Sequence, residues 1–167
     1  YGYYSGENVT MINEGRLAFL RTPDSKFNLA NFMKVNLYTS LGAVKLGLDI
    51  LLKYEGVKLD RIMGHGGFFK TKEVGQRYLS ASVGAPVTVM DTASEGGAWG
   101  IALLAAYIAD KKEDEKLEDY LDKRIFARLS GVSIEATKED IEGFDKFMER
   151  YVAGLEVEKA AIEAMKW

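Results

Sequence analysis

The chain has 167 residues, of which 47% are hydrophobic and 28% charged, with a formal net charge of −3, a composition typical of one globular domain. It contains no cysteine and a single histidine, which excludes a disulfide framework, a thiolate zinc site, a cysteine nucleophile and a two-histidine metal site. Because no block of basic residues is present and the longest uncharged run has 14 residues, we expect neither nucleic-acid binding nor a membrane span.

The N-terminal part is predicted to begin as extended chain and to continue as one long helix. The first 27 residues include a short β-prone run at Asn8–Ile12. Asn28 can cap a helix whose apolar residues recur at steps of three and four and which continues to about residue 54. Gly42 and Gly47 each cost this helix about 0.5–1 kcal/mol relative to alanine, so we expect close packing against a neighbour there.

Strands and helices alternate in the middle of the chain. Strands are predicted at Leu59–Met63 and Val87–Met90, and helices at about Thr71–Val83 and Gly96–Ala109. This alternation predicts an α/β layer arrangement that contains a parallel pair of strands.

The tail, residues 111–167, is predicted to be mainly helical. It carries 11 basic and 15 acidic residues, as expected for solvated helix surfaces. One helix is predicted at Leu117–Leu129 and, after a break at Ser130-Gly131, a second begins where Thr137 and Asp140 resemble a capping box.

Two glycine-rich turns are predicted between a strand and the following helix, a position at which α/β proteins bind ligands. The first, Gly64–Thr71, follows a predicted strand, and the second, Glu95–Gly100, opens the next predicted helix. Turns on neighbouring β-α units lie side by side at the carboxyl ends of parallel strands. We therefore expect Gly66-Gly67 and Gly96-Gly97 to adjoin and to form a flat surface for a purine.

Neither turn is a complete nucleotide motif. Phe69 replaces the third glycine of a dinucleotide fingerprint, and no phosphate-binding P-loop sequence occurs in the chain. A tight turn without a ligand and close helix packing therefore remain alternatives. His65 is interpreted as a hydrogen-bonded turn residue rather than a general base, and Lys70 either meets phosphate or is an ordinary surface lysine.

The combined pattern resembles the C-terminal domain of the FGGY carbohydrate kinases. The resemblance covers residues 15–110 best, and the segment Arg21–Phe32 is similar to a branch close to xylulose and ribulose kinases. It depends on Met63–Thr71, Gln76, Gly84–Val87 and Glu95–Ala102.

The resemblance implies an actin-like, ribonuclease-H-like ATPase fold of two domains, of which residues 1–167 would be the C-terminal, nucleotide-side portion. It implies ATP and Mg²⁺ as cofactors, transfer of a phosphoryl group to a sugar hydroxyl, and a pentulose as the acceptor. The residues that it places at the nucleotide are Gly66, Gly67, Phe68, Lys70, Thr71, Glu95 and Gly96.

This sequence departs from the family at the first turn. The family commonly has three glycines, a small residue and an asparagine there, whereas residues 66–71 read Gly-Gly-Phe-Phe-Lys-Thr. Backbone contacts to adenine are therefore expected rather than side-chain contacts. The family's general-base aspartate and its glycine-threonine phosphate turn have no counterpart in this chain, so we assign no catalytic or metal-binding residue.

The chain begins with Tyr1 rather than methionine and shows no signal peptide. We expect a cytoplasmic fragment that is inactive alone, that meets its sugar through a further N-terminal domain, and that self-associates through exposed apolar surface. A non-enzymatic, nucleotide-dependent switch of the actin-like ATPase superfamily is the alternative function, and an α/β interaction module without nucleotide is a third.

Overall fold

The computed structural model describes residues 1–91, 96–128 and 130–166. The chain divides into two compact units, one formed by residues 1–59, 81–84 and 137–167 and the other by residues 60–80 and 85–136. The helices and strands follow in the order α1 (Leu29–Asp49), β1 (Ile62–Gly64), α2 (Val74–Val83), β2 (Val87–Met90), α3 (Gly96–Asp110), α4 (Leu117–Tyr120), β3 (Gly131–Ile134) and α5 (Lys138–Ala164). Short 3₁₀ or π turns occupy Asn8–Thr10, Ile50–Tyr54, Gly67–Phe69, Leu121–Ile125 and Phe126–Arg128.

A three-stranded mixed sheet in the order β1-β2-β3 forms the centre of the second unit. β1 runs parallel to β2 with Ile62 opposite Val87, and β3 runs antiparallel to β2 with Ile134 opposite the same Val87. Val87 is fully buried, as expected for the central strand of a sheet. The predicted α/β arrangement with one parallel strand pair is therefore confirmed.

Two buried polar side chains of α2 connect this helix to β2, to β3 and to the segment that follows β3. The Gln76 amide donates to the carbonyls of Val87 at 3.0 Å and of Val132 at 2.7 Å, so one side chain joins α2 to both β2 and β3. The Ser80 hydroxyl accepts a hydrogen bond from the Ala136 amide at 2.8 Å. The apolar residues buried in this unit include Leu79, Ala85, Val87, Met90, Tyr120 and Ala136.

In the first unit, α1 packs against α5 through aromatic rings. Tyr38 on α1 meets Phe144 on α5 with ring centroids 4.9 Å apart, and the Tyr151 ring lies directly against Gly42. Asn28 accepts a hydrogen bond from the Asn31 amide and so caps α1 as predicted. The buried apolar residues of this unit include Ile12, Tyr38, Leu41, Phe144, Met148, Tyr151 and Leu155.

The prediction of extended chain at Asn8–Ile12 is wrong. Residues Asn8–Thr10 form a 3₁₀ turn, because the Glu7 carboxylate accepts from the Val9 amide and Met11 adopts a left-handed conformation with φ of 56°. Glu7 and Ile12 pair across this turn as an isolated bridge. A local side-chain hydrogen bond thus overrides the β propensity of the run.

Strand β3 was not predicted from the sequence. The Ser130-Gly131 break was expected to lead into the last helix, but Gly131–Ile134 pairs with β2. Val132, Ser133 and Ile134 alternate between apolar and polar, but β3 has only four residues and is largely exposed. Its pattern is therefore too short to indicate a strand. The capping box that starts α5 is confirmed, with the Asp140 amide donating to Thr137 and the Asp140 carboxylate accepting from the Thr137 amide.

Several predicted boundaries shift. The first strand is Ile62–Gly64 rather than Leu59–Met63, since pairing begins opposite Val87. α2 begins at Val74 rather than Thr71 and ends before Gly84, whose φ is +70°. The helix expected over Leu117–Leu129 is α4 followed by a π turn and a 3₁₀ turn as far as Arg128, and residue 129 lies outside the described residues.

Two helices are more apolar than their burial explains. α3 buries no residue completely, and its Ile101 and Ile108 side chains are 70% and 75% exposed. In the described part of the chain, the helical stretch Leu29–Tyr54 is long and apolar enough to cross a bilayer by length and composition. This criterion is weak evidence, because core helices of soluble proteins and signal sequences also meet it.

Candidate functional site

The first glycine-rich turn leads from the end of β1 into a single 3₁₀ turn. Gly66 precedes this turn with φ of +98°, a backbone conformation that a residue with a Cβ rarely adopts. Gly67 starts the 3₁₀ turn and is exposed. A Cβ on either glycine would meet no atom within 4 Å in the described structure. The turn therefore presents bare main chain at both positions.

Phe68 and Phe69 pack back onto the scaffold of the second unit. A Cβ on Gly64 would lie 2.7 Å from the Phe69 ring, and a Cβ on Gly75 would lie 2.5 Å from the Phe68 carbonyl oxygen and 2.9 Å from the Phe68 ring. Both rings are half-buried and meet each other edge to face, with centroids 5.4 Å apart. The structure thus places the predicted site residue Phe68 beneath the turn, where it supports the backbone.

The second glycine-rich turn adjoins the first through His65. A Cβ on Gly96 would lie 2.7 Å from His65 Cβ and 2.9 Å from His65 Nδ1. A Cβ on Gly97 would meet nothing within 4 Å in the described structure. The two bends are therefore neighbours, and we call the open positions Gly66, Gly67 and Gly97 the glycine surface.

His65 packs against an aromatic ring of α3. Its ring stacks on Trp99 with centroids 6.3 Å apart and an interplanar angle of 25°. The interpretation of His65 as a hydrogen-bonded turn residue stays a prediction. Trp99 also contacts Phe126, with centroids 6.1 Å apart. Sequence reasoning missed Trp99, although an aromatic residue three positions after Gly96 is the signal that could have found it.

The remaining predicted site residues differ in their placement. Lys70 ends the 3₁₀ turn, and its side chain and that of Thr71 are exposed. Their positions beside the glycine surface leave them free of burial and accessible to a polar ligand. Glu95 lies outside the described residues. Gly96 is the first residue of α3 and is held against His65.

The arrangement suits an uncharged planar group better than a metal ion. Bare main chain allows a flat ligand to approach closely, and the neighbouring His65–Trp99 stack adds an aromatic edge. In the part of the chain that the structure describes, no group of three or more His, Asp or Glu side chains could hold a metal ion.

Comparison with known proteins gives the family. Residues 1–109 match the model of the C-terminal domain of the FGGY family of carbohydrate kinases, a domain of the actin-like ATPase fold. No match is found among curated proteins or among solved structures. Since the match covers well over half of the 167 residues, the chain belongs to the FGGY family of carbohydrate kinases.

Proposed function

We propose that this chain forms the nucleotide-binding side of an ATP-dependent carbohydrate kinase, with the adenosine part of ATP on the glycine surface. The observation that carries the proposal is the juxtaposition of two bends that are bare at Gly66, Gly67 and Gly97. Membership of a carbohydrate kinase family supplies the reaction class.

In this proposal some of the described residues contact the nucleotide and others support the turn that does so. Gly66 and Gly67 would lie behind adenine and ribose and contact them through main-chain atoms. Lys70 and Thr71, both exposed, would face the polar part of the nucleotide, where a lysine ammonium suits phosphate. Phe68 would act indirectly, since its ring is directed toward Gly75. Glu95, with Gly96, remains a predicted contact on the second side.

The chemistry of such a kinase is phosphoryl transfer, for which bound ATP supplies the γ-phosphoryl group. The residues described here do not fit a protein-held Mg²⁺ site, and no step is assigned to the ion. Our assignment gives these residues the task of binding and orienting the nucleoside. The sugar and the general base belong, in this proposal, to the other domain of the kinase.

We further propose a pentulose as the acceptor and the cytoplasm as the location. The similarity of Arg21–Phe32 to the xylulose and ribulose kinase branch supports the first. The test is a phosphate-transfer assay with labelled ATP and a panel of pentuloses, hexuloses and polyols, in which this chain joined to the kinase's sugar-binding domain should transfer phosphate fastest to a pentulose. We expect no transfer by the 167-residue chain alone, and turnover by this chain would show that the assignment of the general base elsewhere is wrong.

Nucleotide binding is tested by calorimetry with ATP, AMP and inorganic tripolyphosphate. If the surface binds the nucleoside, AMP competes with ATP and tripolyphosphate does not. Gly67→Val should weaken ATP binding by roughly tenfold or more, equivalent to about 1.4 kcal/mol. The fold should tolerate this change, because a Cβ at Gly67 meets no atom of the described residues within 4 Å.

Gly2→Val is the matched control, since Gly2 is equally open and lies outside both bends. It should leave ATP affinity unchanged. Equal affinity of the Gly67→Val variant and the parent chain, or competition by tripolyphosphate but not by AMP, would refute the placement of adenosine on the glycine surface.

A further inference from the structure

We propose that His65 is a positioning residue that fixes the start of α3 against the first bend and so sets the width of the glycine surface. This inference rests on the proposed nucleotide site and assigns His65 and Trp99 a role in it.

The geometry gives His65 two contacts with α3. Its Cβ, Cγ and Nδ1 atoms occupy the space where Gly96 would carry a side chain. Its ring stacks on Trp99, which lies three residues further along α3. The side chain therefore spans the whole first turn of this helix.

Trp99 is itself held from a second direction. Phe126, in the 3₁₀ turn after α4, meets the indole at a 56° angle. Because Trp99 is half-buried between these two rings, it provides a fixed surface against which His65 can pack. The imidazole is exposed, so its contacts serve to position α3 rather than to fill a core.

His65 directly precedes Gly66 in the chain, and Gly96 directly precedes Gly97. The contact between His65 and Gly96 thus joins the residues adjacent to the open positions on each bend. A change in that contact moves Gly97 relative to Gly66. Nucleotide affinity should therefore depend on His65 even if His65 never touches the nucleotide.

The first experiment uses substitutions at His65 in the complete chain. His65→Ala should lower ATP affinity roughly fivefold, within the range of coupling between contacting residues, and His65→Phe should restore most of it because a stacking ring is retained. Gly2→Ala serves as the control, since Gly2 lies outside both bends and its added methyl group meets no atom within 4 Å in the described structure.

The second experiment is a double-mutant cycle. Gly96→Ala should lower ATP affinity in the parent chain, because its Cβ would lie 2.7 Å from His65 Cβ. In a His65→Gly background the same substitution should have little further effect, since the three close atoms are gone. Additive losses would overturn the positioning role.

A spectroscopic readout reports the contact without nucleotide. The sequence contains two tryptophans, Trp99 and Trp167, so a Trp167→Phe variant leaves Trp99 as the fluorescent tryptophan. His65→Ala should then make its fluorescence more accessible to acrylamide quenching, and His65→Phe should not. Unchanged quenching in His65→Ala would show that the rings do not pack in solution and would overturn the proposal.

The outcomes separate this inference from the proposed function. If the parent chain binds ATP and His65→Ala binds it equally well, the positioning role is wrong and the nucleotide site stands. If the parent chain binds no adenosine nucleotide, the proposed function fails and the positioning role fails with it.

Discussion

Gly42 on α1 lies directly against the Tyr151 ring of α5 in the first unit, and its replacement by alanine tests the packing there. A Cβ at this position would lie 2.6 Å from Cζ of Tyr151 and 2.9 Å from both Cε atoms. The ring has little freedom to move, because Tyr151 is buried and its hydroxyl is hydrogen-bonded to that of Tyr3. The methyl group must therefore displace a helix or a well-packed ring.

The expected free-energy change combines two opposed effects. Overpacking of a well-packed core costs about 1–3 kcal/mol, whereas replacing a mid-helix glycine by alanine gains about 0.5–1 kcal/mol. Gly42→Ala should therefore lower the free energy of unfolding by roughly 0–2.5 kcal/mol. Gly47→Ala in the same helix should raise it by about 0.5–1 kcal/mol, since among the described residues its Cβ would meet only Val9, at an ordinary contact distance of 3.7 Å.

Urea denaturation followed by circular dichroism measures both variants under identical conditions. A third variant isolates the cause: in a Tyr151→Leu background the ring is absent, and Gly42→Ala should become close to neutral or stabilising. If Gly42→Ala stabilises the parent chain as much as Gly47→Ala does, the two helices do not pack as closely as described and the reasoning fails.

Two further predictions concern polar side chains. Gln76→Met should lower the free energy of unfolding by about 2–4 kcal/mol, because it removes the hydrogen bonds that the Gln76 amide donates to two strand carbonyls. A loss below about 0.5 kcal/mol in urea denaturation would contradict the importance of these two hydrogen bonds. Partial burial raises the pKa of Asp49, but hydrogen bonds from Lys45 and Lys53 lower it by more, and the net pKa is below its usual range. Asp49→Asn should therefore lower the free energy of unfolding by about 0.5–1 kcal/mol at neutral pH. Urea denaturation at a series of pH values should show this difference vanishing as the pH falls below about 4, because the parent carboxylate then becomes protonated. A difference that persists in acid would refute the prediction.

The sequence predicted the elements whose signals are local. The cap at Asn28, the capping box at Thr137, the buried strand Val87–Met90 and the helix that begins at Gly96 all follow from residues within a few positions of each other. Strand β3 could not be predicted in this way. Its partner β2 lies more than 40 residues earlier in the chain, and β3 has too few residues for its apolar–polar alternation to indicate a strand.

The candidate site, like the fold, was predicted only where its signals are local. The run of glycines can be identified in the sequence, and both bends are expected from it to adjoin, whereas the positive φ of Gly66 is known only from the structure. The direction of Phe68 could not be predicted, because it depends on the space that Gly75 leaves open on α2. Packing between the His65 and Trp99 rings likewise depends on how two β-α units are placed side by side.

The glycines in and around the site fall into two classes, those that packing within the chain requires and those that it does not require. Gly64, Gly75 and Gly96 each lie against a side chain or main-chain atom of the first turn, at distances that no Cβ could occupy, so packing of this unit alone accounts for them. Gly67 has no such neighbour in the described structure, and no positive φ requires glycine there. A flexible residue at an open, exposed position costs folding entropy and gains no contact within the chain. Neither packing nor backbone conformation requires glycine at this position in the described structure, so substitution of Gly67 tests the proposed nucleotide site without also disturbing the packing of this unit.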